Sequence, residues 1–480
     1  MRSAPLRRLS LAAGGLALAS CSTLIPPYER PAAPVPASYA PEMSPASAAG
    51  AEAAADLDWQ RFYADPRLTR LIALALASNR DLRVAVLNIE QTRAAYQVRR
   101  ADELPSVGAG ATVSRTPIGS GVSTAYAVGF AVTGYEIDLF GRVHDLSQAA
   151  LSQYFATAEN RKAVQISLIS SVATAYLAVL ADDELLRVTR QTLVTREDGS
   201  RLTKLRFDNG ASSELDYRQA ESLLEGARVA LAQALRQKAL DENALQLLVG
   251  QALPADLPAP LPLDTTQITA DVPSGLPSDL LIRRPDVRAS ERQLLGANAN
   301  IGAARAAFFP RITLTANLGT ASTELSGLFK GGSFAFTGTA QLLQPIFDAG
   351  RNRANLDVAT VNRDIAVAQY EKSIQAAFRE VSDALAGRAT LGEQLRAQAA
   401  QTNALAITYK LADLRYRAGA ASYLDTLDAQ RSLFTAQQAL VQTQALQLQN
   451  LVSLYRALGG GWREASELSA ASNPTLPPPR

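Results

Sequence analysis

The sequence predicts an α+β membrane protein built from two internal repeats, each a helix, a β-hairpin and a long helical hairpin. Three observations carry this expectation. The stretch R-F-D-N-G-A-S-S-E-L-D (Arg206–Asp216) returns as R-Y-R-A-G-A-A-S-Y-L-D (Arg415–Asp425), 209 residues further on. Helical patterns of about 65 residues follow Gly141 and Gly350, roughly 100 Å each at 1.5 Å per residue. Ahead of each lies a pair of runs with period-two alternation, the strand period.

The repeat extends well beyond the opening motif. At the same offset Gly141-Arg142 meets Gly350-Arg351, Val172 meets Val381, Ala175 meets Ala384 and Glu184 meets Glu393. Upstream the offset is 205: Asp81 meets Asp286, Arg83 meets Arg288 and Pro105 meets Pro310. Residues 63–250 and 280–458 are therefore read as two copies, joined by a Pro-rich linker over 251–279. Each begins with a helix, 75–103 or 284–308, that Pro105 or Pro310 stops. The hairpins cover 106–138 and 311–346. Val107, Ala109, Ala111 and Val113 alternate with small or polar residues, and Tyr126, Val128, Phe130 and Val132 follow across a loop rich in Gly and Ser. Ile312, Leu314, Ala316 and Leu318, then Phe334, Phe336, Gly338, Ala340 and Leu342, repeat the pattern. Strands of this kind suit a membrane barrel, although a half-buried soluble hairpin alternates in the same way.

The long helical hairpins occupy 142–249 and 351–458. Ile374, Phe378, Val381 and Leu385 keep a 3–4 rhythm, and Arg363, Asp364, Glu371, Lys372, Arg379 and Glu380 interrupt it. Those charges argue against a transmembrane helix, and the length argues for coiled-coil packing. The opening motif sits where each hairpin must turn. Gly210 and Gly419 can take the left-handed conformation that ends a helix. Ser213 and Ser422 suit the N-cap of the returning helix, with Asp216 and Asp425 three residues on in a capping-box spacing. Arg206, Leu215 and Arg415 complete the two tips. Capping does not account for Asp428 or Arg431. With Leu424 they fall at i, i+4 and i+7 on one helix face, which is either a solvated charged face or a constriction.

At the N-terminus, Arg2, Arg7 and Arg8 precede an apolar run from Leu9 to Ala19 and then Leu18-Ala-Ser-Cys21, which holds the single cysteine. This resembles a bacterial lipoprotein box, so residues 1–20 are read as a lipoprotein signal peptide and Cys21 as the lipidated residue; by the same resemblance Ser22 favours the outer membrane. Residues 21–62 are read as a tether. Pro26, Pro27, Pro31, Pro34, Pro36, Pro41 and Pro45 favour extended polyproline geometry, a semi-rigid spacer running away from the lipid. Residues 459–480 form a C-terminal tail in which the proline bias returns at Pro474 to Pro479.

Composition excludes several classes. The formal net charge is +2, and basic residues are mixed with acidic ones, so nucleic acid is not an expected partner. With a lone histidine, His144, and no phosphate-binding glycine loop, neither an enzyme nor a metal site is expected, and no cofactor is implied.

Seven motifs follow one another along the chain: L-A-S-C (Leu18–Cys21), Y-E-I-D-L-F-G (Tyr135–Gly141), I-R-R-P-D-V-R (Ile282–Arg288), G-A-A-R-A-A-F-F-P-R (Gly302–Arg311), Q-P-I-F-D-A-G-R (Gln344–Arg351), L-D-A-Q-R-S (Leu427–Ser432) and Y-R-A-L-G-G-G-W (Tyr455–Trp462). In these the chain resembles a TolC-family outer-membrane factor of the OprM/NodT lipoprotein branch. The resemblance implies a homotrimer whose subunits each give four strands to a 12-stranded transmembrane β-barrel, continued by a periplasmic α-helical coiled-coil barrel, with residues 21–62, 251–279 and 459–480 as equatorial segments around it. Closure agrees with elementary physics, since four strands cannot close a barrel and open edges do not survive in lipid. It further implies a passive outer-membrane exit duct for small molecules such as drugs. The implied partners are a periplasmic membrane-fusion adaptor docked on the tips and an inner-membrane RND or ABC transporter. A leucine, an aspartate and a nearby arginine that narrow the closed end in the family fall on Leu424, Asp428 and Arg431. The alternatives are a periplasmic coiled-coil scaffold or adaptor lipoprotein, and a duct for an ABC-type secretion system. Cu(I) export is disfavoured because the mature chain keeps only Met43 as a thioether ligand.

Overall fold

A computed structural model of the chain describes residues 23–39, 54–263, 268 and 277–462. In chain order the elements are α1 (Trp59–Phe62), α2 (Pro66–Ser78), α3 (Arg80–Ala101), β1 (Val107–Ile118), β2 (Gly121–Ile137), α4 (Arg142–Asp208) and α5 (Glu214–Val249). They continue with α6 (Pro277–Arg283), α7 (Pro285–Ala306), β3 (Arg311–Ser322), β4 (Phe334–Leu343), α8 (Arg351–Arg417) and α9 (Tyr423–Ala457). α4 and α8 each run for 67 residues.

One expectation about the leading helices needs correction. The helix expected over 75–103 is two helices broken at Asn79, whereas the one expected over 284–308 is found as α7, with the short α6 ahead of it and a break between them at Arg284. Asn79 sits at extended backbone angles, its Oδ1 accepts from the Leu82 N–H, and its Nδ2 donates to the Leu248 carbonyl. A side chain that satisfies two foreign backbone groups makes the break stable where propensity alone would continue the helix. At the second site Pro285 removes an N–H and biases Arg284 away from the helical region.

The chain divides into two compact units. The first takes residues up to 33, 86–160 and 288–373. Its sheet is antiparallel in the order β1-β2-β3-β4. Residues 114–118 and 121–125, expected in a Gly/Ser-rich loop, are strand up to a two-residue turn in which Gly119 has φ +56°. The register pairs Val107 with Val132, Phe130 with Leu318 and Ile312 with Leu342, so the alternating apolar residues of all four strands share one face. A bulge between Val132 and Tyr135, with Gly134 at φ +67°, returns Tyr135 and Ile137 to that same face.

The Pro-rich tether is not a free spacer over its first residues; it is docked in this unit. Thr23 Oγ1 donates to Asp145 Oδ1 (2.6 Å) and Asn298 Nδ2 to the Pro26 carbonyl (2.8 Å). Tyr28 and Arg30 both bond to Glu291, the arginine through two nitrogens at 2.7 and 2.9 Å. Extended backbone leaves its carbonyls unpaired, and α7 supplies the donors. Gly302 makes the fit possible, because a Cβ there would run into Asp145 Oδ2 and Ile25.

The second unit takes 34–85, 161–287 and residues from 374 onward. Its core is aromatic at the centre. Phe62 stacks on Tyr455 (centroids 4.0 Å apart, 11° between planes), and the Tyr455 hydroxyl donates to the Leu57 carbonyl (2.7 Å). Tyr176 donates to Asp65 Oδ2 (2.6 Å) while Asp65 Oδ1 caps α2, so one carboxylate ties α4 to the α2 N-terminus. Buried Arg284 reaches Asp286, Glu380 and the Ala457 carbonyl. From Ala163 to Ala181 α4 carries no charge, and α4 holds a stretch long and apolar enough to cross a membrane by length and composition. The exclusion drawn from charges in the second copy therefore does not extend to α4, although half of that stretch is buried within the chain.

Gly302→Ala should detach the tether. Overpacking at such a site costs about 1–3 kcal/mol. The expected outcome is a lower melting temperature together with faster proteolysis between residues 23 and 39; unchanged proteolysis would contradict the docking.

Candidate functional site: the paired helical turns

Both long helices end in the same hydrogen-bond pattern. At the first tip the Gly210 N–H donates to the Phe207 carbonyl (2.9 Å) and the Ala211 N–H to the Arg206 carbonyl (2.7 Å). At the second, Gly419 donates to Tyr416 and Ala420 to Arg415, both at 2.9 Å. This is the Schellman ending, and both glycines sit at φ +73°. No atom crowds either Cβ position, so backbone conformation rather than space selects glycine.

The returning helices start as their sequence suggests. Ser213 accepts from the Asp216 N–H and Asp216 accepts from the Ser213 N–H, a reciprocal capping box. Hydrogen bonds from Ser213 and Ser212 hold the Asp216 carboxyl below its ordinary range. Ser422 caps α9 by accepting from the Asp425 N–H (3.3 Å). Leu215 and Leu424, at matching positions, are 66% and 46% exposed.

The structure brings the two tips together, which the sequence did not indicate. Arg206 Nη1 donates to the Tyr416 hydroxyl (2.6 Å) and its guanidinium lies 5.0 Å from the Tyr416 ring centre. Tyr416 packs on Tyr423, and Phe207 stacks on Tyr217. An aromatic follows the arginine in both motifs, Phe207 and Tyr416, and that shared position was the available signal. Arg415 plays a different part from Arg206, reaching the Ala420 carbonyl of its own turn (3.4 Å).

Leu424, Asp428 and Arg431 lie on α9 just past the second tip. Arg431 Nη2 donates to Asp428 Oδ1 at 2.8 Å, with the side chains 66% and 52% exposed. Leu427, between Leu424 and Asp428 in sequence, is buried. Cys21 lies outside the described residues. His144 is half exposed, 3.9 Å from Glu103. Among the described residues no cluster of His, Cys, Asp or Glu could hold a metal ion.

Further along the first hairpin, buried Asp182 of α4 meets Asp241 of α5. Burial and that neighbouring carboxyl push it up to about 7; Asp183 adds to the shift and Lys238 opposes it. Lys238 also bonds to Asp183 and lies 3.5 Å from Glu242.

A model of the outer membrane efflux protein family matches residues 71–251 and again 276–460. The chain belongs to that family. It is 47% identical over 466 residues to the toluene efflux pump outer membrane protein TtgC of Pseudomonas putida, covering 95% of this chain and 96% of that one. The antibiotic efflux pump outer membrane protein ArpC of Pseudomonas putida matches to the same extent. Among solved structures, the open state of the Neisseria gonorrhoeae MtrE outer membrane channel superposes with a TM-score of 0.85 at 42% identity, over 92% of this chain and 99% of that one. The protein is thus an outer-membrane efflux protein of the TolC type, mostly helical with one small sheet, and its relatives are channel components rather than enzymes.

Asp182 sets a pH test. A carboxyl raised in the folded chain holds a proton that the unfolded chain has lost, so stability falls as pH rises from the ordinary 3.8 toward about 7 and levels off above it. Asp182→Asn should remove that part of the slope. Thermal melts of both proteins at pH 5 and pH 8 check it; the parent should lose more stability at pH 8 than the variant.

Proposed function

We propose that the protein is the outer-membrane duct of a tripartite, RND-type efflux system and passively releases small apolar or amphipathic molecules, including drugs. The observation that carries this reading is the pairing of two glycine-turned helical tips, joined by Arg206 and Tyr416, in a chain that also holds an amphipathic four-stranded sheet. A scaffold would have use for the tips but none for the sheet. The relatives named for toluene and antibiotic efflux support the cargo class.

The chain assembles as a homotrimer in which four strands from each of three copies close a 12-stranded barrel without edges. The long helices continue it as a periplasmic coiled-coil barrel, and residues 21–62, 251–279 and 459–480 form a belt around it. Two internal repeats are supported by matching element order and by the twofold match of the family model. Cys21 carries the lipid. Thr23 bonded to Asp145, just past the β2–α4 joint, is consistent with an anchor beside the barrel rim.

The tips, Arg206 to Asp216 and Arg415 to Asp425, are the docking surface for a periplasmic adaptor, with Leu215 as an exposed apolar contact and the capped turns as a rigid frame. Leu424, Asp428 and Arg431 form the periplasmic gate. Three Asp428 carboxylates around a threefold axis would repel one another and attract cations, and Arg431 offsets part of that charge. Opening follows adaptor binding to a splayed state.

Two experiments test this. Affinity purification of the lipidated protein from its own outer membrane after mild cross-linking should recover an adaptor and a proton-driven inner-membrane pump; an ABC transporter in their place would move the reading to an ABC duct. Asp428→Ala should change single-channel conductance and cation selectivity in planar bilayers, and unchanged conductance would remove Asp428 from the gate.

A further inference from the structure

The two repeats treat one arginine differently. Arg142 and Arg351 occupy the same place in each copy, straight after the left-handed glycine that opens the long helix. In the first copy Glu136 takes up Arg142, with Nε donating to Oε1 at 2.8 Å and Nη2 to Oε2 at 2.6 Å. Six residues ahead of Arg351 the second copy has Pro345 instead. Asp348, the nearest acid along the chain, accepts from the Gly350 and Asn352 N–H groups. Arg351 is exposed, and among the described residues no carboxylate pairs with its guanidinium. We infer that Arg351 anchors a binding site for small amphipathic anions on the inner wall of the duct. A carboxylate or sulfonate sits on the guanidinium, and a ring or short chain lies along the apolar wall beside it. This rests on the closed-barrel reading and deepens it by naming a class of cargo that pauses there.

Arg351 lines a pocket of about 280 Å³ where the sheet meets the helices. Its apolar wall is Leu343 and Pro345 after β4, together with Phe309 stacked on Phe140 (centroids 4.6 Å apart). Pockets for drug-sized ligands run from about 300 to 1,000 Å³, so this one suits a body of one or two rings. Its frame is already fixed. Gln344 Nε2 donates to the Phe308 carbonyl and Asn352 Nδ2 to the Ala307 carbonyl, both at 3.1 Å, which ties the β4–α8 connection to the end of α7. A ligand therefore has little ordering to impose when it arrives.

Strand register decides which way the pocket opens. Arg311 pairs with Leu343, and Glu136 with Thr313. These positions alternate with Ile137, Ile312 and Leu342, so they lie on the face opposite the apolar one. In a closed barrel whose apolar face meets lipid, that opposite face is the interior. Within the four strands the charged residues of this face are Glu136 and Arg311 alone. Above them the wall is neutral, with Thr112, Thr315, Asn317, Thr339 and Gln341. An anion crossing the barrel therefore meets its one cationic hold at the joint.

The charge balance of the pocket favours that sign. Arg142, Arg311 and Arg351 line it against Glu136 and Asp138. Glu136 is shared by Arg142 and Arg311, the latter at 2.7 Å, and Asp138 accepts from the His144 N–H at 2.8 Å. What remains is the charge of Arg351. A guanidinium presents a planar pair of donors to a carboxylate and keeps its proton at any physiological pH. Neutral molecules gain only the contact with the wall, and cations lose by the excess positive charge.

Isothermal titration of the full-length protein in nanodiscs tests the site, with 1-naphthoate as the anionic probe and 1-naphthamide as its neutral match. Empty nanodiscs correct for partition into lipid. Naphthoate should bind about tenfold tighter than naphthamide, the scale of a hydrogen-bonded charge. Arg351→Gln should remove that preference. Pro345→Glu, which gives Arg351 the acceptor that Arg142 has, should remove it with the guanidinium still in place. Equal binding of the two probes by the parent protein overturns the site, and so does a naphthoate preference that survives both substitutions. Native mass spectrometry of the parent separates this result from the reading beneath it. A trimer without the preference overturns the site alone, whereas a monomer overturns the closed barrel on which it rests.

Discussion

Strands carry hydrogen-bonding groups on both edges, and hydrocarbon offers those groups no partner. In this chain β2 and β3 are satisfied on both sides, while β1 and β4 are satisfied on one. Much of the architecture answers to that imbalance. The two internal hairpins must meet in a register that keeps every apolar residue on one face, and the bulge at Gly134 maintains this down to Ile137. Left-handed glycines at 141 and 350, φ +75° and +85°, then end each β-hairpin and start a helix within a few residues. Leu139 to Gly141 on one side and Pro345 to Gly350 on the other are where a period of two becomes a period of 3.6.

The helical parts obey a different constraint. A helix of 67 residues has no room for a thick core along its length, so packing must be close and the residues small. Buried positions on α4, α5, α8 and α9 are accordingly rich in alanine, as at Ala156, Ala173, Ala227, Ala377 and Ala445. Large buried side chains gather where the short helices α1 and α2 join the bundle. There the rings of Phe62, Tyr63 and Tyr455 meet, and the hydroxyls of buried Tyr176 and Tyr455 find acceptors in Asp65 and Leu57.

Local chemistry made most of the fold readable in advance. Gly210, Gly419, Ser213 and Ser422 act through their own turns, so their roles need no knowledge of distant residues. The strand alternation and the repeat offsets are likewise written along the chain. What stayed hidden depends on partners far away in sequence. Asn79 breaks a helix because the Leu248 carbonyl stands beside it. The tether is held because Glu291 and Asn298 lie along its path. Arg206 differs from Arg415 because a tyrosine hydroxyl from the other tip is within reach. The first two have no periodicity or spacing that would reveal them, and the third leaves only the shared aromatic position after each arginine.

The uncharged run from Ala163 to Ala181 has a consequence for biosynthesis. An outer-membrane protein first passes through the inner membrane, where a segment of this length competes with lipid for a place in the bilayer. Gln165, Ser167, Ser170, Ser171 and Thr174 recur through the run and weaken partitioning at each turn. Folded, Gln165 and Ser170 are buried among Ile166, Ile169 and Val172. The same polar side chains that dilute the core of the mature helix therefore also lower the tendency of the unfolded run to partition into lipid.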